Sequence, residues 1–251
     1  MKIRTLVILY FSLALSPFVS GTEITEPIVI LKGTGDFPPF EYVHNGETTG
    51  YHVDLISRVA KRIPIKVTFK TIPWKRALSL IETGDADAIS FISKTPDREE
   101  YAIFLDDNLI STSYTGFIAL KGSPGTRIYD GSLESVQGLS VGVQLGFKYG
   151  NEFDTADYIN KVEFNGADQL YSTLLAKRID LAFIALSEFK AHQNFGKAEN
   201  LIFLMPSISE SRNYLAFSKG NQVLAQRFAK AMKAFKQSKE HKKLLKRYGL
   251  L

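Results

Sequence analysis

Asp85-Ala86-Asp87-Ala88-Ile89-Ser90-Phe91-Ile92-Ser93-Lys94-Thr95-Pro96-Asp97-Arg98-Glu99-Glu100 holds the end of a strand and the start of a helix. Ala88, Ile89, Phe91 and Ile92 form an apolar run of strand length, and Thr95-Pro96 follows as an N-cap with proline at the first helical position. Arg98 therefore falls in the first helical turn, where free backbone N–H groups and the positive dipole end favour anions and disfavour a cation. Asp97, Glu99 and Glu100 obey that preference, and Arg98 breaks it in the way residues at functional sites tend to break local rules. Ser93 lies at the strand end, on the path to the same point. A guanidinium, a hydroxyl and free N–H groups converging there would hold a carboxylate. The plainer alternative is that Arg98 pairs with a neighbouring acid on a solvated turn.

Upstream, Pro73 to Gly84 reads as a helix with proline at its start and glycine just past its end. Trp74, the only tryptophan, sits in the first turn and off the Ala77-Leu78-Ile81 face. It either packs in a core or lines a pocket. Pro27-Ile28-Val29-Ile30-Leu31 is a first strand, and the turn-rich Gly33 to Tyr42 follows it, with Asp36 and with Phe37 and Phe40 framing two prolines on a stiff loop. Asn45-Gly46 marks a turn. Leu55, Ile56, Val59, Ala60 and Ile63 keep helical period, and Ile65 to Phe69 alternates as a half-exposed strand does. Strand, helix, strand, helix, strand implies a largely parallel sheet with its ligand crevice at the strand C-termini. Phe37, Trp74, Ser93 and Arg98 all follow strands, so they share one sheet edge.

Lys2 and Arg4 precede an apolar segment from Leu6 to Leu15, and Val19-Ser20-Gly21 supplies small residues, which is the plan of a signal peptide over residues 1–21. The apolar stretch is short of the ~20 residues a membrane span requires. With no cysteine after it, there is neither a lipid attachment site nor a disulfide framework nor a thiolate metal site. The exported chain would hold about 230 residues, enough for two compact lobes or one larger domain. The net charge of +5 includes Lys2 and Arg4, and the modest remainder gives no case for nucleic-acid binding.

Gly35 to Tyr42, Gly50-Tyr51-His52-Val53-Asp54-Leu55, Trp74 ahead of Gly84-Asp85-Ala86-Asp87-Ala88-Ile89, and Ser93 to Arg98 form an ordered series of four motifs. The series resembles the family 3 extracellular solute-binding proteins, the periplasmic receptors of polar amino acid ABC importers, from about Ile28 to the C-terminus. The resemblance implies an α/β fold of periplasmic binding protein type II, with two α/β lobes joined by two crossover strands and the ligand between them. By motif position Phe37 and Trp74 would flank the ligand, Ser93 would hydrogen-bond its carboxylate and Arg98 would form the salt bridge to it. Asp36 and Phe91 lie beside these and join the candidates. The family also implies a permease partner, a monomer, a periplasmic location and no cofactor.

Ser111 to Leu120 reads as the outgoing crossover, with Tyr114 as a candidate contact and Gly116 permitting hinge torsion. Leu139 to Gly146 is a strand entering a glycine turn, after which Phe147 and Lys148 should reach the cleft, Lys148 with the backbone donors of a second helix N-terminus, or else lie in solvent. A helix near Tyr149 to Tyr158, a strand from Lys161 to Phe164, a helix from Ala167 to Ala176, a strand from Ile179 to Ala185 and a helix from Ser187 to Asn194 complete a second β-α unit. The returning strand is Asn213 to Ser218. The expected division is 22–115 plus 213–251 for lobe 1 and 116–212 for lobe 2. One departure from the family pattern matters: the aspartate that pairs with a ligand ammonium, five positions after Asp180, is Ala185 here. Either another acid such as Glu188 takes that role, or the carboxylate-bearing ligand has no ammonium. The basic run Lys233, Lys236, Lys239, Lys242, Lys243, Lys246 and Arg247 reads as a solvated helix face or a partner contact. A receptor for a small carboxylate is the leading function. The alternatives are an enzyme on the same scaffold, such as a dehydratase, using Glu41 or Glu188 as acid or base, and a ligand receptor for a membrane sensor. His44, His52, His192 and His241 share no metal-ligand spacing.

Overall fold

The computed structural model describes residues 27–194 and 198–251, so the expected signal peptide at 1–21 lies outside the described residues. The chain begins with β1 (Ile28–Gly33), a hairpin of β2 (Tyr42–His44) and β3 (Glu47–Thr49) around Asn45-Gly46, α1 (Tyr51–Arg62), β4 (Val67–Ile72) and α2 (Trp74–Thr83). β5 (Ala88–Ser93), α3 (Pro96–Tyr101), β6 (Ala102–Ile103) and the long β7 (Leu109–Leu120) follow, then α4 (Gly125–Ile128), β8 (Ser140–Gln144), α5 (Asn151–Asp154) and β9 (Asn160–Phe164). α6 (Ala167–Leu175), β10 (Leu181–Ala185), α7 (Leu186–Asn194), β11 (Leu201–Phe203), β12 (Ser209–Ser218), α8 (Gln222–Lys236) and α9 (Lys239–Arg247) complete it.

The strands join in the order β4-β1-β5-β12-β7-β10-β8-β9, with β6 on β12 and β11 on β7. β1 pairs parallel with β4 and β5, and β8 pairs parallel with β9 and β10. Between these parallel groups run β7 and β12, antiparallel to each other from Ser209 opposite Thr115 to Tyr214 opposite Leu109. β1 is buried on both faces, as an inner parallel strand must be, whereas β4 at the edge alternates. Among the described residues four apolar clusters form. Those around Ile30, Leu55 and Phe228, and around Leu31, Ile81 and Ile92, cover the two faces of the first strand group. Those around Phe117, Phe153 and Phe183, and around Ile118, Leu170 and Ile184, cover the second. Along β7 the core changes between Ile110 and Phe117.

Three expectations need correction. The helix from Tyr149 to Tyr158 is a single turn, α5, because Gly150 at φ 124 holds the preceding backbone out of helical geometry. β12 starts at Ser209 and not Asn213, since its polar first half pairs with β7 without being buried. Lys236 does not belong to a solvated face: its half-buried ammonium donates to the carbonyls of Asp107 and Leu109, tying α8 to the turn that enters β7. Among the described residues no helix is long and apolar enough to cross a membrane.

Candidate functional site

Thr95 is extended, at φ −141 and ψ 157, and its hydroxyl accepts from the Arg98 N–H at 3.3 Å, so the cap and Pro96 start α3 as the sequence requires. With its backbone fixed there, the Arg98 side chain turns back over the strand end and is only 4% exposed. Nη1 donates to the Ser93 carbonyl at 2.8 Å and to its hydroxyl at 2.7 Å, while Nη2 donates across the cleft to the carbonyl of Gly146 at 3.2 Å. The guanidinium carbon lies 5.8 Å from the centre of the Trp74 ring, within cation–π range. Burial pulls the Arg98 pKa down, and Tyr101, Asp154 and Asp97 partly offset it. Among the described residues no carboxylate stands within salt-bridge distance of Arg98.

The turn after β8 meets this group with acceptors. Gly146, at φ +76, reverses the chain there and points its carbonyl at α2 and α3, where Trp74 Nε1 donates to it at 3.1 Å beside Arg98. Ser93 Oγ donates to the Lys148 carbonyl at 3.3 Å. The expected helix N-terminus is absent here, because α5 starts only at Asn151, and Lys148 contributes its main chain while its side chain is exposed. Phe147 packs between the lobes, its ring centre 5.5 Å from that of Trp74 and 6.3 Å from that of Phe37. Phe91 sits 5.5 Å from Phe37 and holds φ +57, a conformation costly for a bulky residue, at the bulge where the β5 and β12 registers slip.

These four rings wall two spaces. The smaller, about 40 Å³, is reached by Ser93, Arg98, Lys148, Ala185, Glu188 and Asn213. The larger, about 580 Å³, is bordered by Asp36, Glu41, Gln144, Asn165, Asp168 and His192. Of the candidates read from sequence, Phe37, Trp74, Phe91, Ser93, Arg98, Phe147 and Lys148 surround the smaller space. Asp36 borders only the larger one and accepts from the Val43 N–H at 2.9 Å. Tyr114 is a correction: it is 54% exposed and borders neither space, because the alternation of β7 turns it outward while Ser113 faces the N–H of Ser187.

Several participants were not among the candidates. Gln144, in an apolar strand run, donates from Nε2 to both Glu188 oxygens at 2.9 and 3.1 Å. Burial pushes the Glu188 carboxyl up to about 8, against the pull of that bond. Lys32, with no exposed surface, donates to the carbonyls of Gly33 and Gly35 at 2.9 and 3.0 Å, and burial pulls its pKa down against the charges of Glu41 and Asp36. Glu41 in turn lies 3.2 Å from His52 Nδ1. A lysine ending the apolar run of β1 was the available signal for this buried polar floor. Among the described residues no group of three His, Asp or Glu is placed to hold a metal.

The profile of the bacterial extracellular solute-binding proteins, family 3, matches residues 29–250. The chain belongs to that family. The histidine-binding periplasmic protein of Escherichia coli K12 is 30% identical over 225 residues, covering 84% of each chain. The arginine-binding extracellular protein ArtP of Bacillus subtilis is 25% identical over 236 residues, covering 91% of this chain and 89% of the relative. Among solved structures, a histidine kinase sensor domain with similarity to periplasmic binding proteins superposes with a TM-score of 0.78 at 22% identity, over 88% of this chain and 95% of that one. That likeness speaks to the fold alone, which is the two-lobed α/β fold of periplasmic binding proteins. In this family member, then, the buried guanidinium and the four rings stand where the two lobes meet.

Proposed function

We propose that the protein is a periplasmic receptor that closes on a small carboxylate-bearing solute of amino-acid type and presents it to the permease of an ABC importer. Export through the segment at 1–21, a monomeric state, and lobes divided as 22–115 plus 213–251 and 116–212 belong to the same reading. The observation that carries it is Arg98. A buried guanidinium with no acid partner among the described residues, sharing the small space with Ser93 and the ring wall, is built to receive an anion. The names of the histidine- and arginine-binding relatives point to the same ligand class.

A thermal-shift screen of amino acids and simpler carboxylates identifies the stabilising ligand, because a molecule bound only to the native state raises the melting temperature. Calorimetry then compares Arg98→Ala with Lys242→Ala, a variant on the outer face of α9. Loss of a charge-assisted bond of about 1.5–3 kcal/mol weakens binding roughly 10- to 150-fold in the first, and the second binds as wild type. Unchanged affinity in Arg98→Ala would remove the assigned site.

A further inference from the structure

We propose that Glu188 is the counter-ion for the ammonium of an α-amino acid whose carboxylate rests on Arg98, and that binding is coupled to release of one proton. This deepens the receptor reading and rests on it.

Arg98 comes from lobe 1 and Glu188 from lobe 2, and both border the same space of about 40 Å³. Among the described residues the hydrogen bonds of both charge-bearing side chains go to neutral groups: Arg98 has the Ser93 carbonyl and hydroxyl and the Gly146 carbonyl, and Glu188 has the Gln144 amide, while Asp154 and Asp97 act on Arg98 from beyond ion-pair distance. A buried ion without a partner is costly, so Arg98 calls for an anion and Glu188 stays neutral until a cation arrives; together they can become half of a four-charge arrangement. A zwitterion supplies the other half. Ala185 borders the same space and brings no charge, which leaves Glu188, one helical turn further on, as the carboxyl within reach. The space is close to the roughly 30 Å³ share of one liquid water, so the ligand enters by parting the lobes and lifting Phe147 from between Phe37 and Trp74.

The protonation of Glu188 follows from what surrounds it. Gln144 and Tyr149 face it from β8 and the loop that follows, Tyr171 faces it from α6, and His192 lies on its own helix with its ring 4.2 Å from Tyr171. Arg98 and Lys148 are the cations that border the shared space. With burial dominant, the carboxyl titrates at about 8 and is protonated in the empty receptor at neutral pH. The arriving ammonium keeps its three protons. Glu188 breaks its own O–H bond, the proton goes to solvent, and the carboxylate pairs with the ammonium. Binding therefore tightens about tenfold per pH unit from about 6 towards 8 and then levels off.

The test uses the twenty α-amino acids and their des-amino carboxylic acids as probes for the wild-type protein, followed by calorimetry of the best binder at pH 6.5 in two buffers of different ionisation enthalpy. Support consists of selection for amino acids over their des-amino partners, release of close to one proton per ligand, and loss of both in Glu188→Gln. Des-amino acids binding as well as amino acids, with no proton released, overturn the role of Glu188 and leave the carboxylate receptor standing. Failure of both sets to bind overturns the zwitterion and the carboxylate reading together. The proton count is read on the wild-type protein, so it decides the matter even where Glu188→Gln folds poorly.

Discussion

Glu188 has a consequence for stability that needs no ligand. In the unfolded chain it titrates as an ordinary glutamate near 4.5, and in the folded chain burial raises it to about 8. Between those values the native state holds a proton that the unfolded state has given up. The stabilisation is complete below the unfolded value and is lost as pH rises through the folded one. Urea unfolding of the empty receptor at pH 5, 6.5 and 8 should therefore show a decline of order a few kcal/mol that Glu188→Gln lacks. Parallel pH profiles for the two proteins would mean that Glu188 titrates normally and is better hydrated than the structure places it. A sequence cannot reveal this, because a glutamate on a helix reads as solvated; the packing of α7 against β8 and α6 is what buries this acid. Arg98 was legible for the opposite reason, since it violates a rule that its own helix start imposes.

At the scale of elements, the junction of β5 and α3 shows what local chemistry can and cannot decide. Thr95-Pro96 fixes the start of α3 from the sequence alone, and the structure has the Thr95 hydroxyl on the Arg98 N–H. Thr95→Ala should cost about 1 kcal/mol of stability. It should also weaken ligand binding, because the cap positions the residue that carries the guanidinium. Denaturation together with calorimetry checks both, and a loss of stability with unchanged affinity would mean that Ser93 and Gly146 orient Arg98 without the cap. The strand beside it was legible as an apolar run, but its bulge at Phe91 was not. A φ of +57 on a phenylalanine opposes local preference and is imposed by pairing with β12, more than a hundred residues away in sequence. Tyr114 was misplaced because a strand residue's face depends on register, and the register of β7 is set by β12. The turn after β8 was misread for a related reason: Gly146 and Gly150 both hold positive φ, so the chain offers carbonyls to the cleft where a helix would have offered N–H groups.

For the whole molecule, those carbonyls set the terms of closure. Arg98 and Trp74 both donate to Gly146, and Ser93 donates to Lys148, so three hydrogen bonds tie α3, α2 and the end of β5 to the turn after β8 without any ligand. A carboxylate arriving at Arg98 competes with the Gly146 carbonyl for the same guanidinium, and closing around it exchanges one acceptor for a charged one. The ligand-induced shift is then the difference between those two closed states, not the full strength of the new contacts. Trp74→Phe probes the term, because it keeps a six-membered ring beside Phe147 and removes the indole N–H together with part of the ring. A net loss of about 1 kcal/mol moves the open-to-closed ratio of the empty protein roughly fivefold towards open. Small-angle scattering should record a larger radius of gyration for ligand-free Trp74→Phe than for wild type, with the two converging once ligand saturates both. Identical scattering of the two empty proteins would mean that the bond to Gly146 contributes nothing to holding the lobes together, and that closure depends on the ligand and the packing of Phe147.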